Sequence, residues 1–145
     1  MTDDLIIKRA LAILHKRIRV ADALSSPGAV RDYLRLLLTG KEHEVFICVF
    51  LDAQNRVISC DELFRGTLTQ TAVYPREVVK TSLAHNAAAV ILCHNHPSGV
   101  SEPSSADKYL TRALTEALAL VDVRVLDHFI VCSAGGMSFA ERGLL

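Results

Sequence analysis

The chain has 145 residues, half of them hydrophobic and 22% charged, which suits a single domain with a real core and excludes a disordered chain. Sixteen Lys and Arg offset sixteen Asp and Glu, so no excess positive charge is offered to a nucleic-acid backbone, and DNA binding is expected to be weak or absent. No run approaches the roughly 20 apolar residues of a membrane span, four scattered cysteines (Cys48, Cys60, Cys93, Cys132) form no C-x-x-C pair, and the chain opens on Thr2, Asp3 and Asp4 rather than on basic residues. These features predict a reduced, cytoplasmic protein without a membrane partner.

In chain order, residues 3–19 carry Ile7, Leu11, Leu14 and Ile18 at helical spacing. That face predicts a helix docking on the body of the domain or on a second copy of the chain. "LSSPGAV" is a break, with Ser26 as N-cap and Pro27 at the first helical position of a helix that stops at Gly40. Residues 1–27 are therefore read as helix and connector, and 28–145 as the domain proper.

"EVFICVFLD" (44–52) is β-branched and aromatic, and "AQN" turns it into "RVISCDELF" (56–64), which predicts a hairpin. "GTLTQTAV" (66–73) reads as a third strand and "PREVVKTSLAHN" (75–86) as a helix opened by proline. "AAAVILCHNH" (87–96) is too uniformly apolar for a surface helix and predicts a central strand. "PSSADKYLTRALTEALALV" (103–121) is helical, "VRVLDHFIVCS" (123–133) a buried strand, and "GG" a turn into a short last strand, "MSFAE". Strands interleaved with helices predict a three-layer α/β/α domain with a mixed central sheet.

The chemistry concentrates in "ILCHNHPSGVSEPSSAD" (91–107). Residues i and i+2 of a strand point to one side, so His94 and His96 aim at one point while Cys93 and Asn95 face away. Pro97 ends the strand, which puts both rings at its C-terminal edge, where open α/β sheets bind ligands. Asp107, in the first turn of the next helix, can swing back over that edge. Two imidazoles and a carboxylate suit zinc, and three protein ligands leave a position open for chemistry. Ser104 and Asp107 also fit S-x-x-D, an ordinary capping arrangement that needs no metal.

H-x-H-P followed by S-x-x-D, with ten residues between the second His and the Asp, resembles the JAMM (MPN-plus) metalloprotease motif. "TAVYPREVVKTSLAHNAAAVILCHNHPSG", "ADKYLTRAL" and "LVDVRVLDHFIV" resemble the bacterial RadC family in particular, over about residues 28–145. The resemblance implies a cytidine-deaminase-like fold and one Zn2+ per chain on His94, His96 and Asp107. It also implies an upstream glutamate as general acid/base, matching Glu44, with Glu42 in reserve. Ser104 matches the motif serine that steadies an oxyanion, a role in competition with capping.

Asp127 and His128 interrupt a buried strand, as partners of a ligand histidine or as structural hydrogen-bonders. The consecutive letters H-N-H are unrelated to the HNH nucleases, whose residues are spread over a longer unit. The deaminase signatures H-x-E and P-C-x-x-C are absent from the sequence. The leading expectation is a zinc-dependent peptidase or isopeptidase acting on a peptide or protein substrate. The alternatives are a DNA repair or recombination accessory protein of the RadC type, and a zinc-binding interaction module without turnover. Longer RadC relatives carry an N-terminal helix-hairpin-helix region, for which the first 27 residues are too short.

Overall fold

The computed structural model describes residues 2–20, 27–66 and 73–145. Along the chain run α1 (Asp3–Val20), α2 (Pro27–Leu38), β1 (Val45–Leu51), β2 (Val57–Arg65), α3 (Pro75–Ala84), β3 (Ala89–Asn95), α4 (Ser105–Ala119), β4 (Arg124–Cys132) and β5 (Gly135–Ser138). The strands form one mixed sheet in the order β2-β1-β3-β4-β5. Only the β3–β4 pair is parallel, joined by the crossover through α4. Among the described residues no helix is long and apolar enough to cross a membrane.

Side-chain alternation divides the sheet into two apolar faces. Val45, Ile47, Val49, Leu51, Ala89, Ile91 and Cys93 pack with Val30, Leu34 and Leu38 of α2. Phe46, Cys48, Phe50, Val90 and Leu92 pack with Val78 of α3 and Leu114 and Leu118 of α4. Both faces of β1 and β3 are covered, so every residue of these two strands is buried. Continuous apolar runs rather than alternating ones are the sequence form of such strands.

Within the described residues the expected elements other than the third strand stand with ends moved by one to three residues, and two details differ. On α1, Leu11 and Leu14 are half-buried, whereas Ile7 is 41% exposed. The "GG" pair lies within β5 rather than in a turn before it, and position 136 has no room for a side chain, since a Cβ there would sit 2.6 Å from the Ile130 carbonyl oxygen. Phe139 and Ala140 lie beyond that strand. The proposed N-cap Ser26 and most of the expected third strand lie outside the described residues.

Candidate metal centre

β3 runs between β1 and β4 and delivers the two histidines. His94 is opposite Phe46 in the antiparallel register, its ring stacked at 6.2 Å from the phenyl ring and only 4% of the residue exposed. His96 extends the parallel ladder one step further, its N–H donating to the Val131 carbonyl at 2.8 Å. Gly99, at φ +86, then turns the chain back in a left-handed conformation that favours glycine. That turn brings the Val100 carbonyl to 2.7 Å from His96 Nδ1. A carbonyl can only accept, so Nδ1 carries the proton and Nε2 of a neutral ring is left bare.

Asp107 comes from α4. Ser104 Oγ accepts from the Asp107 N–H at 3.0 Å, and Asp107 Oδ2 accepts from the Ser104 N–H at 2.9 Å, a reciprocal capping box. The box and the site share one carboxylate. Asp107 Oδ2 is 3.0 Å from His96 Nε2, Oδ1 is 3.3 Å from His94 Nε2, and the two Nε2 atoms are 3.0 Å apart. Ligands at 2.0–2.1 Å around a tetrahedral ion stand about 3.3–3.4 Å from one another. The three side chains therefore fit a small divalent cation with little movement. Among the described residues this is the group of His, Cys, Asp and Glu side chains able to hold a metal.

The electrostatics match that geometry. Burial alone would raise the Asp107 carboxyl, but the neighbouring imidazoles of His94 and His96 and the Ser104 N–H hold it well below the usual carboxylate range. The same carboxylate raises His96, against the opposing effect of burial, with help from the Val100 carbonyl and the charge of Glu44. The carboxylate thus favours a proton on His96 Nε2, which it meets at 3.0 Å.

Glu44 lies immediately before β1. Val45 N–H bonds to the side chain of Asn95, so the antiparallel register, continued one residue beyond it, sets Glu44 against His96. By alternation Glu44 belongs to the face of Phe46, Cys48 and Phe50, the face from which His94 and Asp107 approach. Glu42 instead lies in an exposed bend and lines a cleft of about 420 Å³ with Leu38, Val131 and Ser133, on the α2 side of the sheet edge.

Two residues had roles that the sequence left unassigned. Asn95 is 3% exposed; its Oδ1 accepts from Val45 N–H at 2.7 Å and its Nδ2 donates to the His43 carbonyl at 3.0 Å. It clamps the backbone on both sides of Glu44 to the strand that carries the histidines. The signal was an amide in an otherwise apolar strand on the face turned from the ligands. His128, fully buried, has Nε2 at 2.7 Å from His94 Nδ1 and Nδ1 at 2.7 Å from Thr111 Oγ1. Burial and the neighbouring imidazole of His94 depress its basicity far below the histidine range. Its neighbour Asp127 turns elsewhere, accepting from His128 N–H, Ala140 N–H and Ser138 Oγ, and so holds the C-terminal turn to β4.

Cys93 lies in the α2-side core, away from His94, and burial pushes its thiol up well above the ordinary range. Cys60 is likewise pushed up to about 12 by burial and the charge of Asp61. Neither is an activated nucleophile.

Residues 24–144 match the family model described as a RadC-like JAB domain. The chain is 68% identical over 140 residues to a UPF0758 protein of Thiobacillus denitrificans, covering 97% of this chain and 62% of that protein. It is 62% identical over 140 residues to one of Nitrosospira multiformis, with the same coverage of each. A third relative, from Dechloromonas aromatica, is 64% identical over 133 residues, or 91% of this chain and 59% of that protein. The chain thus spans about three-fifths of the length of these relatives. With the family model matching from before α2 to the penultimate residue, the chain belongs to the RadC family of JAB-domain proteins.

Proposed function

We propose that the protein is a zinc-dependent hydrolase acting on amide bonds, as a peptidase or isopeptidase. The observation that supports this most is the convergence of two imidazoles and a carboxylate, each pair of side chains 3.0–3.3 Å apart at its nearest atoms, at the C-terminal edge of β3. Zinc held by His94, His96 and Asp107 would supply Lewis acidity toward a carbonyl and activation of water at neutral pH.

The chain's own groups do the rest. Glu44 takes a proton from the attacking water and returns it to the leaving nitrogen, the work of a general acid/base within reach of both. Ser104 donates its O–H to the developing oxyanion. Capping is compatible with this, because the box uses an Oγ lone pair and leaves the hydroxyl hydrogen unassigned. Asn95 holds the Glu44 backbone in position.

The test begins with a peptide-library screen of zinc-loaded protein. On a cleaved peptide, Glu44→Gln should keep about one zinc per chain while turnover falls roughly 10²-fold or more, the usual scale for losing general acid/base help. Glu42→Gln should stay within a few-fold. Undiminished turnover in Glu44→Gln would remove this mechanism even with the zinc site intact.

A further inference from the structure

A histidine that ligates through Nε2 must carry its own proton on Nδ1, and some acceptor must hold that proton there. For His96 the acceptor is a carbonyl. For His94 it is another imidazole, which can donate or accept, so the direction of that bond is set one step further on.

Thr111 supplies the missing step. Its Oγ1 is 2.8 Å from the Asp107 carbonyl oxygen and 2.7 Å from His128 Nδ1. The carbonyl has no hydrogen to give, so the threonine's single hydroxyl hydrogen lies between Oγ1 and that oxygen. Thr111 must then accept from His128, which places a proton on His128 Nδ1. The ring of His128 is enclosed by Phe46 and Phe139, and its nitrogens meet a hydroxyl and an imidazole rather than a carboxylate. A second proton would be an uncompensated buried charge. His128 Nε2 is therefore bare and accepts from His94 Nδ1–H.

We propose that Thr111 and His128 are positioning residues that fix the tautomer of His94, so that its Nε2 reaches the site as a bare lone pair before any metal arrives. The relay begins at a helix carbonyl, that of Asp107, so one residue supplies a carboxylate to the site and the polarity of the relay behind it. The importance of this for zinc rests on the metal reading above; the tautomer itself does not.

The deciding measurement is a long-range 1H–15N correlation spectrum of zinc-stripped, 15N-labelled protein at about pH 8.5, well above the ordinary histidine range. The His94 ring is identified by its loss in His94→Gln. The wild type should show His94 protonated at Nδ1 and bare at Nε2. Thr111→Ser, which keeps the hydroxyl, should preserve that pattern and bind zinc within a few-fold of wild type. Thr111→Val, equal in shape, leaves His128 Nδ1–H without an acceptor. The His128 proton should move to Nε2, the His94 proton should follow to its own Nε2, and zinc affinity should fall by about 10–100-fold. A wild-type His94 protonated at Nε2 would overturn the proposal without any variant. So would Thr111→Val showing the wild-type pattern and zinc affinity. If the wild type shows the expected tautomer yet binds no zinc, the relay stands and the metal reading falls.

Discussion

The two faces of the sheet are built alike until the C-terminal end of β3, where they part. On the α2 side, Val45, Ile47, Ile91 and Cys93 lead up to Asn95, whose polar atoms all bond to the backbone at residues 43 and 45. On the α4 side, Phe46 and Leu92 lead up to His94, His96 and Asp107, whose polar atoms turn toward one another across about 3 Å. One face ends in an amide that bonds the backbone; the other ends in two imidazoles and a carboxylate that converge on one another. Buried polar groups need partners. On the first face the backbone supplies them; on the second they are side chains of the kinds that can hold a metal.

The largest effect expected from breaking this asymmetry comes from Asp107→Ala. It removes the only anionic member of the ligand set together with half of the capping box. The dialysed variant should retain essentially no zinc by elemental analysis. Full zinc content would mean that the α4 face does not hold the metal through this carboxylate.

Asn95→Ala tests the opposite face. It leaves the Val45 N–H and the His43 carbonyl short of buried partners, at a cost of about 1–3 kcal/mol in urea unfolding. Zinc content should stay near that of the wild type while turnover on a cleaved peptide drops about tenfold, because Glu44 loses its backbone clamp. Loss of zinc in this variant, with turnover per bound zinc unchanged, would show that the two faces are not separate in function.

The smallest effect is in pH. In the metal-free protein Asp107 raises His96, so that contribution is whole below about pH 6.5 and lost as pH rises through the raised value. Burial lowers His128, so its contribution is lost as pH falls below about 6.5, where the unfolded chain takes up the proton first. The two windows meet, so both contributions are whole together only near pH ~6.5. The rise in Tm on adding zinc should grow by a few degrees from about pH 6 to pH 8, since protons and metal compete for His96 Nε2. A zinc-induced shift that is flat in pH would contradict the place assigned to His96.

What the sequence made legible was local. The strands at 45–51 and 89–95 announce themselves as continuous apolar runs, and i, i+2 alternation alone sends His94 and His96 to one side. Asp107 was legible through its S-x-x-D spacing, since a capping box is complete within four residues. His128 was visible only as an anomaly in a buried strand. Its partner His94 lies 34 residues away, and the contact exists because β3 and β4 are parallel neighbours with Leu92 opposite His128. The role of Asn95 was out of reach for the same reason: the sequence shows that it faces away from the ligands, but its work on residues 43 and 45 depends on the antiparallel register with β1. Glu44 and Glu42 have the same sequence parity, and it took the bend at residues 42–43 to put them on opposite sides of the sheet edge.

The capping box at the start of α4 has one more consequence. Asp107 is tied to Ser104 three residues before it, and α4 is seated on the sheet by Leu114 and Leu118. The spacing between the carboxylate and the histidines is thus a property of helix packing. The segment from Ser101 to Pro103 joins them, with Pro103 buried and Glu102 tied at the surface to Arg142 at 2.9 and 3.0 Å. The arrangement of the three side chains is consequently insulated from the exposed Glu102–Arg142 contact, and a change there should leave it in place.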